Sequence, residues 1–219
     1  LMVNNIKSNL INFRWEGTNL ELHSEKFLFV PTTGEMLISD VHIGKAEFFQ
    51  LHGIPLTNNE DTSNLNNIYK LIKRFRPEKL IILGDLFHSK YSLNQNLIKK
   101  VEKLFEFIDN IELIEGNHDR GCFVKNISYL KEKKSINLIY SHEPINTKNK
   151  KILNICGHYH PKVILKNNHD KLSFKCFALD PINNNLFLPS FGDLTGGYPC
   201  KKFFKKWPII SENQILEVN

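Results

Sequence analysis

Five short apolar runs recur along the first 160 residues, and each is followed at once by Gly, His or Asp. MLIS (36–39) leads into DVHIG, KLIIL (79–83) into GDLFHS, and IELIE (111–115) into GNHDRG. NLIYS (137–141) leads into HEP, and KILNIC (151–156) into GHYHP. Brief runs rich in Ile and Leu and bounded by turn residues predict buried strands. Between the first three runs the period changes. Leu65, Ile68, Tyr69, Ile72 and Phe75 share the spacing of one helix face, with Thr57 and Glu60 as an expected capping box and Pro77 beyond the end. Leu97, Val101, Leu104, Phe105 and Ile108 form a second stripe opposed by Lys and Glu. The order β-α-β-α-β predicts an α/β fold with a largely parallel sheet. In such sheets ligands bind beyond the carboxyl ends of the strands.

Beyond residue 160 the helical spacing stops. VILK (163–166), LSFKCFAL (172–179) and NLFLPS (185–190) alternate with turns containing Asn, Asp and Pro. They predict a β-meander that forms a second sheet packed on the first. No linker or repeat divides the pattern. Residues 1–219 are therefore expected to form one domain, with 1–19 as an N-terminal extension and 201–219 as a C-terminal edge segment.

Composition changes this picture little. The chain is 41% hydrophobic and 24% charged, as an ordinary globular protein with a core is. No apolar run approaches the roughly 18 residues of a membrane span. The first residues lack the apolar stretch of a secretory signal. The cytoplasm is the expected compartment, with no membrane partner. Cys122, Cys156, Cys176 and Cys200 form no C-x-x-C pair, so reduced thiols are expected rather than a zinc knuckle or a disulfide framework. A net charge of +6 is compatible with an anionic substrate.

The strand ends carry the chemistry. They present Asp40 and His42, then Asp85, then Asn117, His118 and Asp119, then His142, then His158 and His160. Side chains at i and i+2 of an extended segment point the same way, so each two-apart pair is expected to reach one centre. Oxygen and imidazole donors without thiolate suit Mn, Fe, Zn or Ni. These donors are too many for a single ion, so two divalent ions are expected. Asp85, alone on its strand, is placed to bridge them. Two ions about 3.5–4 Å apart can hold a bridging hydroxide near neutral pH. With two aspartates and that hydroxide, about one positive charge remains to attract a phosphate ester. His118 is left as a proton donor for the leaving oxygen. A lone Asp-x-His or Gly-Asp means little; the ordered series means much more.

That series, Asp40-x-His42, Gly84-Asp85, Gly116-Asn117-His118-Asp119, His142 and Gly157-His158-x-His160, is similar to the calcineurin-like metallophosphoesterase superfamily. The resemblance implies a four-layer αββα sandwich of two mixed β-sheets around a dinuclear metal site. It assigns Asp40, His42, Asp85 and His160 to one metal, and Asp85, Asn117, His142 and His158 to the other. It places His118 over the leaving group with Asp119 orienting it. Mn²⁺ is the activating ion it implies, while Zn²⁺ and Fe also fit the ligands. GDLFHS departs from the serine/threonine protein phosphatases, whose second motif runs to Asp-Arg-Gly. His88 stands where purple acid phosphatases carry a ligand Tyr.

The longer stretches DVHIGKAEFFQLHGIP, LIILGDLFHS, GNHDRG, SHEP, GHYHP and LPSFGDLTGGY together resemble the PdeM-type, ligase-associated DNA damage response endonucleases. This implies a metal-dependent phosphodiesterase acting as a DNA endonuclease in bacterial repair, with a DNA ligase and a helicase as partners. The alternatives are a phosphodiesterase or phosphatase for a small nucleotide, and a non-catalytic scaffold in a repair complex. Arg120, Lys45 and His88 are candidate substrate contacts. KKFFKKW (201–207) fits nucleic acid through lysines and stacking aromatics. It fits better an edge strand with aromatics packed inward. KEKK (131–134) and KNKK (148–151) are expected to be solvated loops. LTGGY (194–198) fits either close backbone approach or a plain turn.

Overall fold

Strands buried on both faces read as unbroken apolar runs, and here both faces find partners. The computed structural model describes residues 8–56, 59–166 and 170–217; Thr57 and the Glu60 side chain, the expected capping box, lie outside the described residues. The first sheet holds β1 (Leu10–Trp15), β2 (Thr18–His23), β3 (Phe27–Val30), β4 (Glu35–Ile38), β5 (Lys79–Ile82), β6 (Ile111–Ile114) and β7 (Ser128–Leu130), side by side in that order. β1 to β4 are antiparallel and β4 to β7 are parallel. Helices α1 (Lys45–Leu51) and α2 (Asn59–Phe75) carry the chain from β4 to β5. Helix α3 (Gln95–Glu102), tightened into a 3-10 turn over Lys103–Glu106, carries it from β5 to β6. Asn94 Oδ1 accepts the Leu97 N–H at 2.9 Å and starts α3.

The period-2 alternation of the strands sorts their side chains. Met36, Ile38, Leu80, Ile82, Ile111 and Leu113 face outward, where Leu65, Ile68, Ile72, Leu97 and Val101 of the helices bury them. Leu37, Ile81 and Ile114 face the other way, into a core shared with the second sheet. Each such side chain contributes about 1.5–3 kcal/mol when fully buried.

The second sheet holds β8 (Lys133–Lys134), β9 (Leu138–Ser141), β10 (Leu153–Cys156), β11 (Pro161–Lys166), β12 (Lys171–Asp180), β13 (Asn185–Phe187), β14 (Tyr198–Pro199), β15 (Lys205–Ser211) and β16 (Gln214–Ile215). Its order is β14-β11-β12-β13-β10-β9-β8, with β15 on β12 and β16 on β15. β9, β10 and β13 run parallel, and the β11–β12–β13 meander is antiparallel. Leu138, Tyr140, Leu153, Ile155, Phe177 and Trp207 close the core between the sheets. The outer face carries a smaller cluster in which Phe204 covers Cys176, Ala178 and Phe187.

Three local expectations change. Residues 10–19 are not an extension but part of a hairpin at the edge of the first sheet. The first sheet is mixed rather than largely parallel, because that hairpin and β3 add an antiparallel half. The KKFFKKW stretch divides: Trp207 packs between the sheets, Phe204 is buried on the outer face, and Phe203 is 49% exposed. All four cysteines are free thiols. Among the described residues, no helix is long and apolar enough to cross a membrane.

Candidate metal centre

The carboxyl ends of β4, β5 and β6 lie side by side because these strands are parallel, and β9 and β10 end together for the same reason. Asp40, Asp85 and Asn117 stand just past the first three ends, and His142 and His158 just past the other two. The backbone there is not extended. Asp40, His42, Asp85, His158 and His160 all have left-handed φ, between 47° and 64°. The two-apart pairs therefore converge by tight turning, which corrects the extended-segment reason given for them. Such a conformation costs a non-glycine residue about 1–3 kcal/mol. Hydrogen bonds offset it: Asp40 N–H donates to Gly84 O at 3.0 Å and His42 N–H to Asp85 O at 2.9 Å. Gly116 leaves room for the cluster, since a Cβ there would stand 2.2 Å from Asp85 Oδ1.

Among the described residues, three groups of ligand-type atoms result, two of which contain a carboxylate. In the first, Asp40, His42 and His160 bring donor atoms within 4.8 Å of one another. His160 Nε2 lies 2.9 Å from Asp40 Oδ1. In the second, Asp85, His142 and His158 converge within the same limit. His142 Nε2 lies 3.1 Å from His158 Nδ1 and 3.2 Å from Asn117 Oδ1. Asp85 Oδ2 reaches toward both groups, 3.5 Å from His142 Nε2 and 3.8 Å from His42 Nε2.

These residues fit a cation on their own chemistry. His142 Nδ1 donates to Leu83 O at 2.9 Å, so in the neutral ring the Nε2 lone pair faces the Asn117 carbonyl oxygen. Two acceptors at that separation repel unless a cation lies between them. Among the described residues, His42 Nε2 is buried without a hydrogen-bond partner. Burial, aided by the Lys45 charge, lowers His42 to about 2 and His88 to about 4. Both are thus neutral imidazoles near pH 7, each with one ring nitrogen able to accept. Burial pushes the Asp85 carboxyl upward, opposed by His142.

His118, His88 and Asp119 are arranged differently from the expectation. His118 Nδ1 donates to the His88 carbonyl at 2.7 Å, and the two rings stack 5.0 Å apart. Asp119 is fully buried, and its carboxylate accepts N–H bonds from Asp85 (2.7 Å), Gly116 (2.9 Å) and Phe87 (3.0 Å). The expected orientation of His118 by Asp119 is therefore replaced. The His88 carbonyl orients His118, and Asp119 ties the loops after β5 and β6 together. Burial raises Asp119 to about 6 despite those three donors. His88 also groups with His42 and His118 as ligand-type atoms, its Nδ1 3.4 Å from His42 Nδ1.

The depressed His88 value has a measurable consequence. Between the folded value of about 4 and the ordinary 6.5, the unfolded chain binds a proton that the folded chain does not. This contribution to stability is present above pH 6.5 and is lost as pH falls toward 4. In denaturant titrations of chelated protein, His88→Gln is expected to show a flatter dependence of stability on pH over that interval. Parallel curves for the two proteins would reject it.

The centre opens to solvent through a cavity of about 450 Å³ lined by His42, Asp85, Asn117, His118, His158, His160, Gly196, Gly197 and Tyr198. Asp40 and His142 lie buried. Tyr198, 65% exposed at this rim, is a residue that sequence reasoning missed. The LTGGY stretch was its only signal. Arg120 lines a neighbouring cavity of about 410 Å³ with Asn117 and His142. Lys45, the first residue of α1, acts on His42 and His88 through its charge and does not line the opening.

Residues 36–216 match the model of the calcineurin-like phosphoesterase family. The crystal structure of the Pseudomonas putida nuclease MPE is similar to this chain, with 26% identity and a TM-score of 0.78. The match covers 96% of this chain and all of that one (100%). Yfce, a phosphoesterase from E. coli, matches at 14% identity and a TM-score of 0.47, over 84% of this chain and 97% of that one. No curated protein shows a significant sequence match.

Proposed function

We propose, from the premise that the chain belongs to the calcineurin-like phosphoesterase family, that it is a dinuclear phosphodiesterase cutting DNA internally. Membership makes it a metal-dependent phosphoesterase. The nuclease reading is carried by the similarity to the P. putida nuclease, which runs over the whole of that chain. The open rim of the cavity supports it, because a polymer needs access from the side. The motif resemblance adds a setting in DNA repair, with a DNA ligase and a helicase as partners.

In this reading Asp40, His42, Asp85 and His160 would hold one divalent ion, and Asp85, Asn117, His142 and His158 the other, with Mn²⁺ as the activating metal. When bound, the pair supplies charge neutralisation for a phosphate and a hydroxide nucleophile near neutral pH. The chain does the rest. Asp85 spans both groups and fixes the His118 loop by accepting the His118 N–H at 2.9 Å. His118 has Nδ1 committed to a carbonyl, so Nε2 is the atom that gives a proton to the leaving oxygen. Arg120, on the neighbouring cavity beside Asn117 and His142, adds positive charge for a phosphate that is not cut, while Lys45 acts on the site only through its charge on His42 and His88.

The test is a paired assay in Mn²⁺ on a chromogenic phosphodiester and on circular single- and double-stranded DNA. Wild type is expected to cleave the diester and to nick or linearise circular DNA. His118→Ala is expected to lose about 10²–10⁴-fold of the DNA cleavage. Cleavage of the small diester alone would transfer the substrate to the nucleotides.

A further inference from the structure

The segment between β13 and β14 braces the candidate centre, and two lysines outside the centre hold that segment in shape. Phe191 N–H donates to Ser39 O at 2.8 Å, and Gly192 N–H donates to Asp40 O at 3.1 Å. Further along, Tyr198 N–H donates to His160 O at 3.1 Å. A Cβ on Gly197 would stand 2.5 Å from the same His160 oxygen, so the chain passes close only because a glycine is there. The segment thus grips the backbone of Asp40 and His160. Both belong to the first ligand group, and neither belongs to the second.

Between Phe187 and Tyr198 the chain forms no strand or helix, so side chains must set its course. Lys175 of β12 does most of this. Its Nζ donates to Ser190 O at 2.9 Å, Gly192 O at 2.6 Å and Thr195 Oγ1 at 3.1 Å. An ammonium has three donors, and all three are used. Thr195 Oγ1 donates in turn to Gly192 O at 2.6 Å. Lys26 Nζ donates to Phe191 O and to Asp193 Oδ1, each at 2.8 Å. Desolvation of the ammonium is costly. It lowers Lys175 to about 7, with the Lys26 charge adding to the effect. Neither lysine lines the cavity.

We propose that Lys175, assisted by Lys26, is a positioning residue for the metal held by Asp40, His42 and His160, and sets the affinity of that position alone through the 190–198 segment. The inference rests on the ligand assignment proposed above. Partners behind metal ligands are typically worth 10–100-fold in affinity.

The experiment titrates Mn²⁺ into metal-free protein and follows the electron paramagnetic resonance of the free ion. Wild type is expected to show two sites. Lys175→Met is expected to keep one site unchanged and to weaken the other by about 10–100-fold. Lys26→Met guards against a folding artefact, because the Lys26 side chain is partly exposed and its removal strands no buried charge. It is expected to weaken the same single site by a smaller factor at an unchanged melting temperature. Unchanged affinity at both sites in a folded Lys175→Met would overturn the proposal. So would equal weakening of both sites in Lys26→Met. A wild type that binds fewer than two ions removes the ligand assignment itself, and this inference with it.

Discussion

Asp85→Asn is expected to lower phosphodiesterase turnover in Mn²⁺ by roughly 10³-fold or more while leaving the protein folded, since even partners behind metal ligands cost about 10–100-fold. Among the described residues, Asp85 Oδ2 is the carboxylate atom that lies near ring nitrogens of both groups, 3.8 Å from His42 Nε2 and 3.5 Å from His142 Nε2. Asparagine keeps the shape and still accepts the His118 N–H, now made at 2.9 Å to Oδ1. What it removes is the negative charge shared between two cations. The measurements are kcat on a chromogenic diester and bound metal per chain. A loss below tenfold, with two metals retained, would mean that Asp85 does not bridge.

Asp119→Ala is expected to destabilise the protein by about 3–5 kcal/mol, an effect read by urea denaturation. The residue is fully buried, and three backbone donors depend on it. Alanine leaves the N–H groups of Asp85, Phe87 and Gly116 without an acceptor in a space closed to water. Asparagine helps little, because its amide nitrogen would face donors. The loops after β5 and β6 should loosen together, so metal affinity should fall along with stability. A cost under about 1 kcal/mol would show that water replaces the carboxylate.

How much of this was legible in the sequence follows from burial. Strands covered on both faces are written as unbroken Ile and Leu, so the first polar residue marks the strand end where ligands gather. That makes Asp40, Asp85, Asn117, His142 and His158 legible in the sequence as candidates. The edge hairpin was not visible in this way. β1 is only partly buried, and its polar and apolar residues mix as a half-exposed strand allows. Adjacency misled in one case. His118 and Asp119 are neighbours, but on a tight turn their side chains part, one to the cavity and one to the loops behind. Left-handed φ at five candidate ligands leaves no mark in a pattern of hydrophobic and polar residues. Lys175 was hidden for another reason. Inside LSFKCFAL it reads as a solvent-facing residue, and only the return of the 190–198 segment gives its ammonium three acceptors.

The most direct test of the dinuclear account is anomalous diffraction from crystals grown with Mn²⁺. The account predicts two peaks about 3.5–4 Å apart. One should lie among Asp40, His42 and His160, the other among Asn117, His142 and His158, with Asp85 between them. A single peak, or a peak among His42, His88 and His118, would contradict it.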